Sequence, residues 1–450
     1  MNKFNASLTE GPIGKNLIIF VVPLLLSNLL QQLYNSVDSV IVGRYAGSLE
    51  LAAVGSSGAV INLLIGFFLG IATGTGILYA MHYGAKDYKG LKKLIDSALI
   101  LSVGISAIIS LIGIIYCDDI LRLMNTPEEV FSSSVAYLKI IFAGTVVTMT
   151  YNVGAGMIRA EGDSVRPLLY LLIGGLGNLI LDILLVKYFG LGAAGAAWAT
   201  IAAQAVTAVL VLIRLSRLNP DYAFRPFKMT PSRLAFWDII RISFPCGLQN
   251  SMYNISNFLV QVKINAFGAI AMAGVAAYSK IDAFIYMPMN ALGLAISTFV
   301  GQNVGAGHYD RMKKGITTSL LMSFASAGFI SIFVIFFYDS LITLFTSDSG
   351  AMAAGKQMML FLAPFAWTYS ITDTLGGAVR GSGQAGSITV ILLICICVFR
   401  IIWLELILPF FPQLWAVNIV YPISWTICNL VVARFYFKKS TLKKSMRACG

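Results

Sequence analysis

Apolar runs of about twenty residues, the length that crosses a bilayer as a helix, follow one another along nearly the whole chain with only short polar stretches between them. That pattern leaves few folds open. Backbone inside hydrocarbon must satisfy its own hydrogen bonds, so only helices and closed barrels survive there. Barrel strands alternate apolar with polar and do not give continuous apolar runs. Composition agrees, with 58% hydrophobic and 12% charged residues, where soluble chains carry roughly 25% charged. So few charges cannot coat a water-facing surface. A soluble enzyme, a disordered chain and a fibrous repeat are excluded, and an all-α polytopic membrane protein remains.

Polar punctuation places twelve expected spans at 16–43, 51–82, 94–116, 131–158, 167–188, 193–215, 237–264, 272–303, 315–338, 353–379, 386–409 and 414–437. The first holds Asn28, Gln31, Gln32 and Asp38, unlike the apolar core of a signal peptide, and is read as an uncleaved span. Most of the 32 Lys and Arg residues fall on one side, in Lys86 to Lys93, Arg214 to Arg233, Arg311 to Lys314 and the tail from Arg434 to Arg447. Loops on the other side collect Asp118, Asp119, Glu128, Glu129, Asp339 and Asp348. By the positive-inside rule both termini are expected in the cytoplasm. The net charge of +12 therefore reports topology, and no nucleic-acid partner is expected. The six cysteines, Cys117, Cys246, Cys395, Cys397, Cys428 and Cys449, are scattered without a CxxC pair, so neither a zinc site nor a disulfide framework is expected.

The chain also repeats itself. Gly84-Ala85-x-x-Tyr88-x-x-x-Lys92-Lys93 recurs as Gly305-Ala306-x-x-Tyr309-x-x-x-Lys313-Lys314. The same offset carries Asp118 onto Asp339, Asn152 onto Asp373, Arg159 onto Arg380 and Gly162 onto Gly383. Pro23 and Pro245 match within one residue. Because both copies of the basic loop lie on one side, each half needs an even number of spans, and six plus six fits. The expected organisation is an N-terminal lobe over 1–215, a cytoplasmic linker over 216–236 with Pro220, Pro226 and Pro231, and a C-terminal lobe over 237–450. Parallel repeats of this kind are related by an axis along the membrane normal and place substrate paths between their halves.

An ionisable residue inside the bilayer costs about 2.5–3.5 kcal/mol on insertion scales, so each one asks for a reason. Asp38 shares a helical face with Gln31, Tyr34 and Asn35. The fifth span carries Asn178 and Asp182 four residues apart; the fourth offers Asn152 and the sixth Thr200. Two acids sharing a dry site cannot both ionise, and a proton or a small cation would relieve them, which is what a coupling site needs. In the second half Asn178 and Asp182 map onto Phe399 and Trp403, while Asp373 replaces Asn152. The seventh span has a neutral stripe, Asn250, Asn254, Asn257 and Gln261, suited to lining a vestibule. Lys280 and Asp282 are expected to have structural partners, Arg400 and Glu405 to join a buried ion network, and Met287 and Met289 with Phe284 and Tyr286 to serve packing.

The QQLYNSVDSVIVG run from Gln31, LAAVG at 51–55, the RAEGD turn at Arg159, the RGSG turn at Arg380 and FVGQNVGAG at 299–307 together resemble the multidrug and toxic compound extrusion (MATE) family, nearest its DinF-like branch. The resemblance covers nearly the whole chain. It implies twelve transmembrane helices in two six-helix lobes related by a pseudo-two-fold axis, V-shaped around a central cavity. It also implies a transporter, not an enzyme, that exports cationic amphiphilic compounds by H+ or Na+ antiport from the plasma membrane of a prokaryote. No cofactor is implied beyond the ion gradient, and the partners are small molecules and the bilayer, with the chain a monomer.

Carried over residue by residue, the resemblance gives a coupling set of Asp38, Asn152, Asn178, Asp182, Thr200 and Asp373, with Na+ at Asp38, Asn178 and Asp182 as an option. Gln31, Tyr34, Asn35, Tyr253 and Asn257 are the expected cavity residues. The family's sodium-coupled branch carries a Glu eight residues past the seventh-helix proline; this chain has Tyr253 there and no acid in that span. Proton coupling in the first lobe is the expectation. Two other transporter readings stay open: a lipid-linked oligosaccharide flippase of the same exporter superfamily, and a major facilitator superfamily antiporter.

Overall fold

The computed structural model describes residues 8–438, and every regular element among them is helical. In chain order these are α1 (Ile13–Tyr45), α2 (Ser48–Gly84), α3 (Tyr88–Ile115), α4 (Cys117–Leu123), α5 (Glu128–Ala143), α6 (Thr145–Ala160), α7 (Val165–Asp182), α8 (Gly192–Ser216), α9 (Arg233–Asn265), α10 (Ala269–Gly305), α11 (Tyr309–Ile342), α12 (Ser349–Ala366), α13 (Tyr369–Gly381), α14 (Ala385–Leu392), α15 (Phe399–Leu406), α16 (Leu414–Asn418) and α17 (Val420–Lys438). Widened π-helical turns extend α7 over Ile183–Tyr188 and join α14 to α15 over Leu393–Val398. Cys449 and the tail beyond Lys438 lie outside the described residues; the other five cysteines are buried and form no disulfide.

Among the described residues nine helices are long and apolar enough to cross a membrane, and α5 with α6, bent by 47° across Gly144, make a tenth. The expected straight span over 131–158 is thus a broken one. Gly144 sits against α8, where an added Cβ would stand 2.3 Å from Ile201 Cγ1. The other two expected spans, 237–264 and 353–379, correspond to α9 and to α12 followed by α13. α9 is diluted by its amide stripe, and α12, with Pro364 near its end, gives way to α13 at Trp367 and Thr368.

The duplication is written into the backbone. α2 and α10 are both 37 residues long, and each starts after a left-handed glycine, Gly47 at φ 95° and Gly268 at φ 93°. Only a residue without Cβ adopts that conformation freely. The turns after the RAEGD and RGSG motifs repeat the device at Gly162 (φ 96°) and Gly383 (φ 85°). Packing repeats as well. A Cβ on Gly156 would stand 2.7 Å from the Ala72 carbonyl oxygen, and one on Gly377, its counterpart, 2.6 Å from that of Gly293. Small residues let these helices approach to backbone contact, the main source of helix association in lipid.

Packing divides the chain into two compact units, one over Val22–Gly247 and one in which the segment ending at Val21 joins everything from Leu248 onward. The divisions fall inside α1 and α9, beside Pro23 and Pro245. Residues ahead of α9 belong to the first unit: the Thr230 and Ser232 amides donate to Asp96 Oδ2 (2.8 Å) and Ser97 Oγ (3.0 Å) on α3. Residues ahead of α1 belong to the second, where Arg311 donates to the carbonyls of Leu8 (3.1 Å), Glu10 (2.7 Å) and Gly11 (2.7 Å). The repeat-related loop acids Asp118 and Asp339 pair with Lys139 of α5 (2.9 Å) and Lys356 of α12 (3.1 Å).

Candidate functional site

In the first unit, α1 presents Gln31, Tyr34, Asn35 and Asp38 along one face, with Gln31 and Tyr34 half-buried, Asn35 exposed and Asp38 buried. Asp182, at the last α-helical position of α7, is fully buried. The carboxyl groups of Asp38 and Asp182 lie within hydrogen-bonding reach of each other. One oxygen of each, Oδ1 in both cases, is buried without a partner. Asn178 stands one turn before Asp182. In the orientation that satisfies both neighbours, its amide nitrogen donates to Asp182 Oδ2 (2.7 Å) and its oxygen accepts from the Thr200 backbone N–H (3.2 Å). Tyr34 OH donates to Thr200 Oγ1 at 3.4 Å. Four of the expected residues, Asp38, Asn178, Asp182 and Thr200, therefore form one cluster with Tyr34. Asn152 spends its amide inside its own helix, donating to the Thr148 carbonyl at 2.8 Å.

Two buried carboxyls in contact cannot both carry charge at ordinary cost. The arrangement holds a shared proton or demands a cation between the oxygens. For a cation the protein would offer Asp38, Asp182 and the Thr200 hydroxyl; the Asn178 oxygen is already engaged by a backbone N–H.

In the second unit Asp373 lies 3.8 Å from Arg380 Nη2, one residue pair spanning two turns of α13. Its other oxygen, Oδ2, is buried without a partner. That carboxyl rests on α10: a Cβ added at Gly293 would stand 2.5 Å from Oδ2, so the glycine makes the room. Tyr253 OH and Tyr369 OH are 3.1 Å apart, and both feel the Asp373 charge. Asn257 Oδ1 accepts from Arg400 Nη1 at 3.2 Å. Tyr253 and Asn257, expected together as cavity residues, thus serve different neighbours.

A family model, MatE, matches residues 23–184 and again 245–404. The chain belongs to the MatE family. Each match covers one copy of the repeat and begins at one of the prolines, Pro23 or Pro245. Among MatE-like relatives, a protein named probable multidrug resistance protein YoeA from Bacillus subtilis is 27% identical over 446 residues, 95% of this chain and 94% of the relative. A second from the same organism, probable multidrug resistance protein YpnP, is 28% identical and covers 87% of this chain and 88% of its own. A crystal structure of a MATE protein in complex with MaL6 superposes with a TM-score of 0.90 at 23% identity, over 99% of this chain and 100% of that one. The MatE fold of two repeated lobes of membrane-crossing helices is therefore this chain's fold.

The remaining membrane charges and the methionine-rich stretch divide between expectation and departure. Arg400 and Glu405 form no joint ion network. Glu405, with a 61% exposed side chain, pairs with Lys263 at 2.8 Å, whereas Arg400 is buried among neutral partners. They sit five residues apart on a helix, which points them in different directions. Asp282 accepts from Tyr278 OH at 3.1 Å and Lys280 is exposed. Met289 is fully buried in the core, and Tyr286 packs its ring 6.0 Å from both Tyr369 and Trp425. Two groups escaped the sequence reading. Tyr137 of α5 is buried close enough to both acids of the first unit to feel their charge; a single tyrosine in an apolar run gives no signal of that. Glu161, inside the RAEGD motif, is buried and accepts from Tyr79 OH (2.7 Å), Arg214 Nη2 (3.2 Å) and Tyr222 OH (3.4 Å).

Proposed function

We propose that this chain is a secondary active efflux transporter of a prokaryotic plasma membrane, with both termini cytoplasmic, that exports cationic amphiphilic compounds in exchange for protons. The observation that carries the reading is the pair of touching, buried carboxyls at Asp38 and Asp182 with an unpartnered oxygen on each. A proton arriving from outside neutralises the pair and rearranges the bonds of Asn178, Thr200 and Tyr34. α1, which carries Asp38 past Pro23, bends in response and the cavity releases its cargo outward. Coupling asks only that proton and cargo differ in their affinity for the two states, and the effect is reciprocal. Asp373, with its unpartnered Oδ2, is a second titratable position in this scheme. The names of the Bacillus relatives, probable multidrug resistance proteins, support a multidrug cargo in a prokaryote.

Sodium is the second reading, with Asp38, Asp182 and Thr200 as its oxygen donors. The contact between the two carboxyls favours the proton, which they can share directly without further ligands. The chain acts as a monomer whose moving bodies are the two packed units, 22–247 and 8–21 with 248–438; 216–236, expected as a linker between lobes, moves with the first unit, and the yielding points are α1 at Pro23 and α9 at Pro245. The deciding experiment is uptake of a lipophilic fluorescent cation into inverted proteoliposomes under an imposed pH gradient and, separately, an imposed sodium gradient. Uptake driven by protons alone supports the scheme, and uptake driven by sodium alone refutes proton coupling.

A further inference from the structure

The second unit buries a charge that the proposed function does not use. Arg400, on α15, is 3% exposed. Its Nε donates to Ser424 Oγ (3.1 Å), its Nη1 to Asn257 Oδ1 (3.2 Å), and its guanidinium carbon lies 4.4 Å from the centre of the Tyr421 ring. All three partners are neutral. Among the described residues no carboxylate pairs with it, and Glu405 is taken by Lys263. An arginine cannot shed its charge, and its guanidinium has five N–H donors; two are spent here, and three remain for something else.

The surroundings indicate what that is. Asn257 is exposed, and a carboxamide exposed at bilayer depth is satisfied only by water or by a polar guest, never by lipid. The guanidinium therefore stands one side chain behind an open polar face. On its other flank Tyr421 packs 6.0 Å from Trp425, which continues to Tyr286 (6.0 Å) and Tyr369 (6.2 Å) in tilted and edge-on contacts; Trp425 is 3% exposed, so the rings close that side with packed core and the approach to the guanidinium is from the Asn257 side. In the repeat this stretch of α15 stands where the first unit carries Asn178 and Asp182. The duplication has kept a polar centre at that height and inverted its sign.

We propose that Arg400 is an anion-binding position whose spare N–H donors receive a small anion: the carboxylate of an aromatic zwitterionic cargo, or a free inorganic anion such as chloride. The first source rests on the multidrug reading above; the second does not.

Rhodamine 110 and rhodamine 123 test it, because they share one ring system and differ in a free carboxylate against a methyl ester. Binding is measured by fluorescence anisotropy on the purified full-length protein in low-salt buffer free of chloride and of carboxylate anions. Arg400→Gln is expected to weaken rhodamine 110 by about tenfold or more, the lower end for losing a buried charge-assisted contact, while rhodamine 123 changes by less than about twofold. Equal losses for both dyes, or none for either, overturn the cargo source. A chloride titration decides the other source: chloride raises the thermal midpoint of the wild type and not of Arg400→Gln if the site takes inorganic anions. No chloride shift together with no dye discrimination overturns the proposal altogether. A wild type that binds neither dye yet keeps the Arg400-dependent chloride shift counts against the multidrug reading and supports the anion site. Should Arg400→Gln fail to fold, Arg400→Lys retains the charge without the planar fork; it is expected to lower the rhodamine 110 to rhodamine 123 affinity ratio, and to diminish the chloride shift, by about threefold, and leaving both unchanged overturns the proposal.

Discussion

Replacing Asp182 by Asn separates a coupling role from a structural one, because the two predict opposite signs for stability. Asp182 is fully buried, touches Asp38, and leaves one oxygen without a partner, as does Asp38. A buried polar atom without a partner costs about 1–3 kcal/mol, and like charges in contact add to that. An asparagine at 182 keeps an oxygen for the Asn178 donor, which now reaches Oδ2 at 2.7 Å, and brings an N–H for Asp38. Asp182→Asn is therefore expected to stabilise the protein by about 1–2 kcal/mol near neutral pH, read as a higher midpoint in thermal denaturation in detergent. The same substitution removes the site where a proton is exchanged. Efflux driven by a pH gradient is expected to fall at least tenfold. Asp38→Asn should lose the same activity, and the double variant should be no worse than the poorer single one, as for residues acting as a unit. Proton-driven efflux within twofold of wild type in both single variants, or losses that multiply in the double, would refute the shared-proton site.

Three further substitutions test other parts of the molecule. Glu161→Ala strands Tyr79, Tyr222 and Arg214 around the place of their common acceptor and is expected to cost about 3–5 kcal/mol, with Glu161→Gln recovering part of the thermal midpoint. Gly377→Ala puts a Cβ 2.6 Å from the Gly293 carbonyl oxygen and should destabilise by about 1–3 kcal/mol, whereas Gly328→Ala, inside α11 with open space around it, should raise the midpoint slightly, by the equivalent of about 0.5–1 kcal/mol. At the turn before α3, the Gly90 N–H above all holds the Asp87 carboxyl below its ordinary range; burial opposes it as the next largest effect, and His82 adds to the lowering. Stability from that carboxylate is present above the ordinary carboxylate range and lost as pH falls through the lowered value; a melting series from pH 6 to pH 3 should show a shallower acid limb for Asp87→Asn than for wild type.

The apolar runs and the repeat were legible because both are written locally, in hydropathy and in turn residues such as Gly162 and Gly383. Asp38 and Asp182 could be picked out because an acid inside an apolar run has no inexpensive alternative. What could not be read was the choice of partner. Asn152 looked equivalent to Asn178 as an amide in a neighbouring span, yet a helix always offers its own carbonyl four residues back, and Asn152 takes that of Thr148. Arg400 and Glu405 were expected in one buried ion network, and helical geometry sends them to Asn257 and Lys263 instead. The bend at Gly144 and the divisions beside Pro23 and Pro245 depend on which helix packs where. A proline or glycine marks where a helix can yield without saying whether it does.

The two units share their packing and differ in their chemistry, and the physical reason is the same in both. Gly47 and Gly268, or Gly156 and Gly377, answer demands that any copy of this helix arrangement must meet: a left-handed cap, and backbone-to-backbone approach where a Cβ would collide. No such demand fixes the polar positions, because lipid-embedded helices pack through small residues whether or not a carboxyl lies between them. Asn178 and Asp182 could thus give way to Phe399 and Trp403, and Asn152 to Asp373, without disturbing the helices around them. Trp403 shows how: its Nε1 finds the Ala416 carbonyl at 2.9 Å, so the second unit closes with a satisfied indole the space the first fills with an acid. A duplicated scaffold of this kind can hold a proton site in one copy and a site of opposite charge preference in the other. The acid pair sets the driving proton and the lone guanidinium the anion, and the stability effect of Asp182→Asn and the rhodamine discrimination lost in Arg400→Gln should each be unchanged by the other substitution.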